Sequence, residues 1–288
     1  MENWYEKSIK ALQLNGMAER TQEGYTRAVR MLVEHYDKTP DLITEEELQE
    51  YFLHRKNVCK WSPNTMRICY SGIKFFFVNV LQRSWHLLDI IRAQSEHRLP
   101  TVLSTEEVRD TLAKVTSPHN HAFLTTVYSC GLRLQEARYL EVADIDSGRM
   151  MIHVHRGKGA KDRYVPIPHA TLVILRKHWA THKNPRLIFP ALGRSGKRSD
   201  GQSPIAISTV QGALRSAKHA VGIQKRNVSV HTLRHSYATH LLEAGVNLRV
   251  IQRYMGHSRL ETTMIYLHLT TKGQEDAFKI IDQLMAGF

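Results

Sequence analysis

The side chains equipped for chemistry are few, and their spacing ties them together. In "HTLRHSYATHLLEAG" His231 and Arg234 stand three residues apart; His257 follows Arg234 by twenty-three residues, and Tyr266 follows His257 by nine. Upstream, "SCGLRLQEARYLEVADID" sets Arg133 just after Gly131, with Glu136 three residues on. "RGKGAKDRYVPIP" places Lys158 between Gly157 and Gly159, where the glycines leave it room to reach a phosphate or leaving group. Phosphodiester transfer to tyrosine uses groups of all these types. A phenol can form a covalent phosphotyrosyl link. Cations must cover the non-bridging oxygens, where negative charge concentrates in a pentacoordinate transition state. Arginine suits that task, because its planar fork of donors matches a phosphate and it stays protonated. An acid must serve the leaving 5′-oxygen, and another group must receive or orient the phenol proton.

Such groups need rigid elements behind them. On one helix His231 and Arg234 lie about 60° apart around the axis. Leu233, Tyr237 and Leu241 make the adjoining buried stripe, and Gly245 ends the helix. Ser258 followed by Glu261 reads as a capping box, which predicts a helix that carries Tyr266 two turns along. "MMIHVHRGKGAKDRYVPIP" puts Ile152 and Val154 on one face, breaks at Gly157–Gly159 and resumes with Tyr164, Val165 and Ile167. That is a β-hairpin with a basic tip. The first hundred residues are helical in pattern, with a capping box at Thr44–Glu47 and Ser62 as N-cap before Pro63. A polar stretch over 94–102, containing Pro100, precedes a further capping box at Ser104–Glu107. The expected fold is mainly α with a small β-hairpin or sheet (α+β). A helical domain spans residues 1–95, and a second domain spans 101–288.

Charge is uneven along the chain. Residues 1–100 hold 14 Lys+Arg against 13 Asp+Glu, while residues 101–288 hold 26 against 14. The overall net charge of +13 suggests a polyanionic partner. The opening "MENWYEKSIK" has no secretory pattern, and the longest apolar run, "FFFVNVL", is too short to cross a bilayer. No basic amphipathic helix suggests a membrane surface. Cys59, Cys69 and Cys130 lack metal spacing and fit a reduced, cytosolic compartment.

Together "GLRLQEARYLEVADID", "RGKGAKDRYVPIP" and "HTLRHSYATHLLEAGVNLRVIQRYMGHSRLETTMIY" closely resemble the tyrosine recombinase (phage-integrase-like) family, particularly its bacterial Xer-type branch. The motif resemblance spans roughly residues 100–270, and the helical residues 1–95 resemble the family's core-binding domain in general character. It implies a site-specific recombinase that cleaves and rejoins DNA strands through a 3′-phosphotyrosyl intermediate, with no metal or nucleotide cofactor. By the same resemblance Tyr266 is the nucleophile, and Arg133 and Arg234 stabilise the phosphorane. Lys158 protonates the leaving oxygen, His231 assists proton transfer, and His257 hydrogen-bonds the phosphate. Glu136 holds Arg133 in place. Implied partners are double-stranded DNA at specific sites, three further copies in a tetramer on two duplexes, and accessory DNA-bending proteins. The implied location is the bacterial cytoplasm, on the nucleoid. The amphipathic end with Phe278, Ile281 and Leu284/Met285 is then an exchange helix, about 274–288, that docks on a neighbouring protomer.

Taken singly, each residue has a plainer reading. A lone helical tyrosine is usually packing, as Tyr254 is read here, and a lone tip lysine, Lys158 or the nearby Lys161, is usually a solvated charge. His231 alone suits a satisfied core or cap position. Their joint order favours catalysis. His153 and His155 alternate on one strand face as metal ligands can, yet a third ligand is missing from the pattern, so a polar sheet face is expected. "GKG" and "GRSGKRS" fail the phosphate-loop pattern. "ALGRSGKRSDGQSP", residues 191–204, is a loop by composition. Two rivals stand beside the recombinase reading: a type IB-like topoisomerase, which shares the phosphotyrosyl chemistry, and a non-catalytic helix-turn-helix regulator.

Overall fold

A computed structural model describes residues 3–83, 99–155, 162–192, 202–270, 281–283 and 285–286. Lys158, Lys161, most of the 191–204 loop and most of the 274–288 segment lie outside the described residues. The chain divides into two units, Met1–Arg98 and Leu99–Phe288.

Among the described residues the first unit is built on four α-helices: α1 (Trp4–Leu14), α2 (Glu19–Tyr36), α3 (Glu45–Asn57) and α4 (Pro63–Asn79). Their starts follow local chemistry. Thr44 and Glu47 exchange both hydrogen bonds of a capping box, and Ser62 caps α4 with Pro63 at its first position. Val29, Leu32, Leu48, Tyr51, Ile73, Phe76 and Phe77 form the buried core between them.

The second unit begins with α5 (Thr105–Ala113), opened by the Ser104–Glu107 capping box, then α6 (Pro118–Cys130) and the short α7 (Leu134–Arg138). A three-stranded antiparallel sheet follows in the order β1 (Ile145–Asp146), β2 (Met151–Val154), β3 (Arg163–Pro166). The two-residue β1 is too short to leave a periodic signal, whereas the β2–β3 hairpin has the expected alternation. Ile152, Val154, Val165 and Ile167 are buried, and the register pairs His153 with Tyr164 on the other face. The remaining helices are α8 (His169–His182), α9 (Ile207–Val221), α10 (Val230–Glu243), α11 (Leu248–Met255) and α12 (Glu261–Met264). Helix α6 is buried along Ala122, Phe123, Leu124, Val127 and Cys130, and α10 along Leu233, Tyr237 and Ala238.

The segment that carries Tyr266 departs from expectation. Ser258 does not cap a helix; α12 starts at Glu261 with Leu260 as a helical-region N-cap and no side-chain cap bond. The backbone amides of Thr263 and Met264 both donate to the Leu260 carbonyl, which puts the N-cap two residues after Ser258 and the first helical residue three after it. After one turn the chain tightens into a 3-10 helix, Ile265–Leu269, whose steeper rise sets the direction of Tyr266.

Where α6 meets α8, His119 Nδ1 lies 3.1 Å from His178 Nε2, with both rings buried. Burial, and then the positive charge that His182 would carry, hold His119 down to about 4. Burial, and then His119 and His182, hold His178 at about 4. An unfolded imidazole titrates near 6.5, so between that pH and 4 the unfolded chain binds the extra protons. Stability therefore falls as pH drops through this window, by on the order of 2–3 kcal/mol per imidazole. Urea midpoints at pH 7.5 and pH 4.5 should differ by roughly 1–2 M. An unchanged midpoint would contradict a buried neutral pair.

Candidate active site

Three arginines and one carboxylate form the base of the site. Arg133 occupies the N-cap position of α7, just after the left-handed Gly131 that ends α6. Glu136, one turn into α7, has a largely covered side chain, and each of its oxygens accepts two hydrogen bonds. Oε1 receives Arg133 Nη1 at 2.6 Å and Arg163 Nη1 at 2.8 Å. Oε2 receives the Arg133 amide at 2.7 Å and Arg163 Nη2 at 2.7 Å. Burial alone would raise this carboxyl, but the Arg163 fork and Arg133 overcome it and hold it at about 2. Glu136 is therefore an anion at every pH at which the protein works.

Arg234, on α10, is buried and is anchored by two carbonyls. Its Nη1 donates to Gly131 O, its Nη2 donates to Met255 O, and Nη1 lies 3.8 Å from Glu136. Burial, and then repulsion from Arg133, lower it to about 9, which still leaves it protonated near neutrality. Arg133 Nη2 donates to Gly256 O at 2.8 Å, and Arg163 Nε donates to Tyr254 O at 2.8 Å. The guanidiniums thus hang on carbonyls at the C-terminal ends of α6 and α11, where the backbone is electron-rich. Gly131 and Gly256 permit this. Both have positive φ (+61° and +58°), and a Cβ would meet the Tyr237 ring at 2.5 Å in one case and Arg163 Cδ at 2.9 Å in the other.

Tyr266 is 1% exposed, and its hydroxyl lies 3.0 Å from His235 Nδ1. Its ring stacks beside His257, centroids 6.3 Å apart and planes 18° apart. Burial raises the phenol to about 12, although the charges of Arg234 and Arg133 pull the other way. His257 Nε2 is 3.4 Å from Arg234 Nη2, and its Nδ1 is 2.9 Å from Thr263 Oγ1. Burial, then Arg234 and Arg133, hold His257 at about 3, and burial, then His231, hold His235 at about 4. Both rings are neutral, so each keeps a lone pair for a proton. His231 sits at the exposed start of α10, lowered first by desolvation and then by Arg234 and Arg133.

One cluster of contacts therefore links Arg133, Glu136, Arg234, His257 and Tyr266, with His231 in electrostatic reach of both arginines; Lys158 lies outside the described residues. Sequence reasoning passed over two members. Arg163 had a readable signal, since strand alternation puts it on the inward face with Val165, where a cation requires a buried anion. His235 had none beyond following Arg234 on the helix.

Residues 101–272 match the family model described as "Phage integrase family", and residues 4–87 match "Phage integrase, N-terminal SAM-like domain". A Sinorhizobium fredii protein, y4qK, named an integrase/recombinase, is 37% identical over 261 residues, covering 90% of this chain and 82% of its own. A Thermosipho africanus tyrosine recombinase is 30% identical over 275 residues, covering 91% and 93%. Among solved structures, the XerH site-specific recombinase bound to palindromic difH substrate, in its post-cleavage complex, has the same fold. It superposes with a TM-score of 0.69 at 20% identity, over 94% of this chain and 83% of that one.

Proposed function

This chain belongs to the phage integrase family, the tyrosine recombinases, and from that premise we propose that it is a site-specific DNA recombinase using Tyr266 as nucleophile. The observation that supports this most is the gathering of a phenol, two guanidiniums and neutral imidazoles in one cluster of contacts. Arg133 and Arg234 receive the non-bridging oxygens and stabilise the phosphorane. Tyr266 attacks phosphorus, the 5′-oxygen leaves with a proton from Lys158, and a 3′-phosphotyrosyl link remains for religation. His257 holds a phosphate oxygen beside Arg234, and His231 assists proton transfer at the rim. His235 grips the resting hydroxyl and is the lone-pair donor nearest the phenol proton. Glu136 positions Arg133 by two hydrogen bonds.

In the resting arrangement the nucleophile is covered. Attack requires residues 265–269 to shift toward the arginines, a small rearrangement in a 3-10 segment with poor hydrogen-bond geometry. The partner is double-stranded DNA at specific sites, and binding weakens steeply with salt as phosphate contacts dominate. Assembly as a homo-tetramer on two duplexes, with residues 274–288 exchanged between protomers, fits the open positions of Ile281 and Met285, 53% and 60% exposed. Accessory DNA-bending proteins and a cytoplasmic, nucleoid location belong to the same reading. Among the described residues, no helix is long and apolar enough to cross a membrane.

The test is covalent trapping. A nicked duplex carrying the target site should yield a protein–DNA adduct stable to denaturant, and sequencing DNA trapped in cells identifies that site. Lys158→Ala should slow cleavage by two to three orders of magnitude, the usual span for a lost proton donor. A 5′-bridging phosphorothiolate should restore it, because sulfur leaves without protonation. Failure of that rescue would move the acid role to Lys161.

A further inference from the structure

We propose that His153, His155 and Asp162 form a zinc-binding site at the open end of the β2–β3 ladder. The ladder's last pair is Val154 with Arg163, so His155 and Asp162 are the next residues outward on the two strands. His153 and His155 share one sheet face by the two-residue repeat, and Asp162 and Tyr164 share the same face across the register. Their ligand atoms all lie within 4.8 Å of one another. His153 Nε2 is 3.4 Å and His155 Nδ1 is 3.7 Å from the same oxygen, Asp162 Oδ2. In a tetrahedral zinc centre, ligand atoms about 2.0–2.1 Å from the metal stand roughly 3.3–3.5 Å apart. Two of the three donor separations are therefore close to the tetrahedral value, and the third, between the two imidazole nitrogens, lies within 4.8 Å.

Both imidazoles are held by a second group. His155 Nε2 lies 2.7 Å from Asp144 Oδ1, so Nδ1 is the nitrogen that faces Asp162 and the site. Asp144 is itself buried and fixed, its other oxygen accepting the Glu141 amide at 2.9 Å. A carboxylate behind a histidine ligand is the usual outer support of a zinc imidazole. The His153 ring stacks flat on Tyr164, with centroids 4.5 Å apart and planes 10° apart. Two nitrogens and one carboxylate oxygen suit zinc and its transition-metal neighbours, whereas magnesium and calcium prefer all-oxygen sites. His155 and Asp162 are half exposed, so an ion enters from solvent and solvent fills the fourth position. The ion ties the two strands just past their last hydrogen-bonded pair, and this role is independent of the chemistry at Tyr266.

The test uses the full, tag-free chain with cobalt(II) as a spectroscopic stand-in and zinc(II) as competitor. The expected result is one equivalent of cobalt with the intense visible bands of four-coordination, displaced by zinc. His155→Ala and Asp162→Ala should lose those bands, and Asp144→Asn should weaken binding 10- to 100-fold. Zinc at a hundredfold excess over its Kd should raise the Tm of the parent chain by about 5 °C or more and leave that of His155→Ala unchanged. Metal-free Tm values that match the parent within 2 °C establish that the two site variants are folded. Cobalt bands that persist in both variants, or no four-coordinate spectrum in the parent chain, would overturn the proposal. DNA cleavage is not needed for any readout, so this result and the recombinase reading stand or fall separately.

Discussion

Tyr266→Phe is expected to bind DNA within a few-fold of the parent chain and to give no covalent adduct on a nicked duplex. The substitution removes one oxygen. The ring keeps its place among Tyr237, Ala238, Ile251 and Met255 and against His257, so the pocket retains its shape. What goes is the hydrogen bond to His235, a net loss of about 0.5–1.5 kcal/mol, too little to unfold the unit. In the mechanism proposed above, phosphate binding rests on Arg133 and Arg234, which the substitution leaves untouched. The covalent link has no atom to form through, so adduct yield falls to background. A mobility-shift assay beside a denaturing gel separates the two effects. An adduct at normal yield would falsify the assignment and turn attention to Tyr254.

Arg163→Ala should cost about 3 kcal/mol of stability, toward the low end of the range for breaking a buried ion pair, because Glu136 keeps Arg133. Glu136 would lose two of its four hydrogen bonds, both charge-assisted. Tyr254 O would lose its guanidinium donor, and α11 its tie to the hairpin. Because Glu136 sets Arg133, cleavage should fall as well, although Arg163 is a positioning residue. Arg163→Lys restores the charge but not the two-pronged fork, so it should recover part of the stability and less of the rate. Denaturant midpoints and adduct rates for the two variants distinguish this from simple unfolding: Lys at 163 should fold at room temperature yet remain slow. Full activity in that variant would show that the fork has no part in aligning Arg133.

The local signals carried far where they concerned a single turn of backbone. Capping boxes at Thr44 and Ser104, the Ser62–Pro63 start and the inward Ile152 and Val154 are fixed by residues within four positions of one another, and each formed as read. The pairing of Arg133 with Glu136 also lies within one turn of helix. What could not be read was the meeting of distant segments. Arg163 reaches Glu136 across 27 positions, and His235 meets Tyr266 across 31. Asp162 joins His153 and His155 only once the hairpin register is known, which is why two histidines looked incomplete. Ser258–Glu261 failed for the opposite reason: the spacing of a capping box was present, but the Leu260 carbonyl took the amides that define the helix start.

The bookkeeping of charge at the base of the pocket has one more implication. Arg133, Arg163 and Arg234 crowd around Glu136, so three positive groups face a single negative one, and the helix-end carbonyls supply only partial relief. The guanidiniums therefore repel one another, and beyond the effect of burial Arg133 and Arg163 both lower the affinity of Arg234 for its proton. In the proposed reaction, a phosphate bound between Arg133 and Arg234 adds a second negative group to this cluster and eases that repulsion.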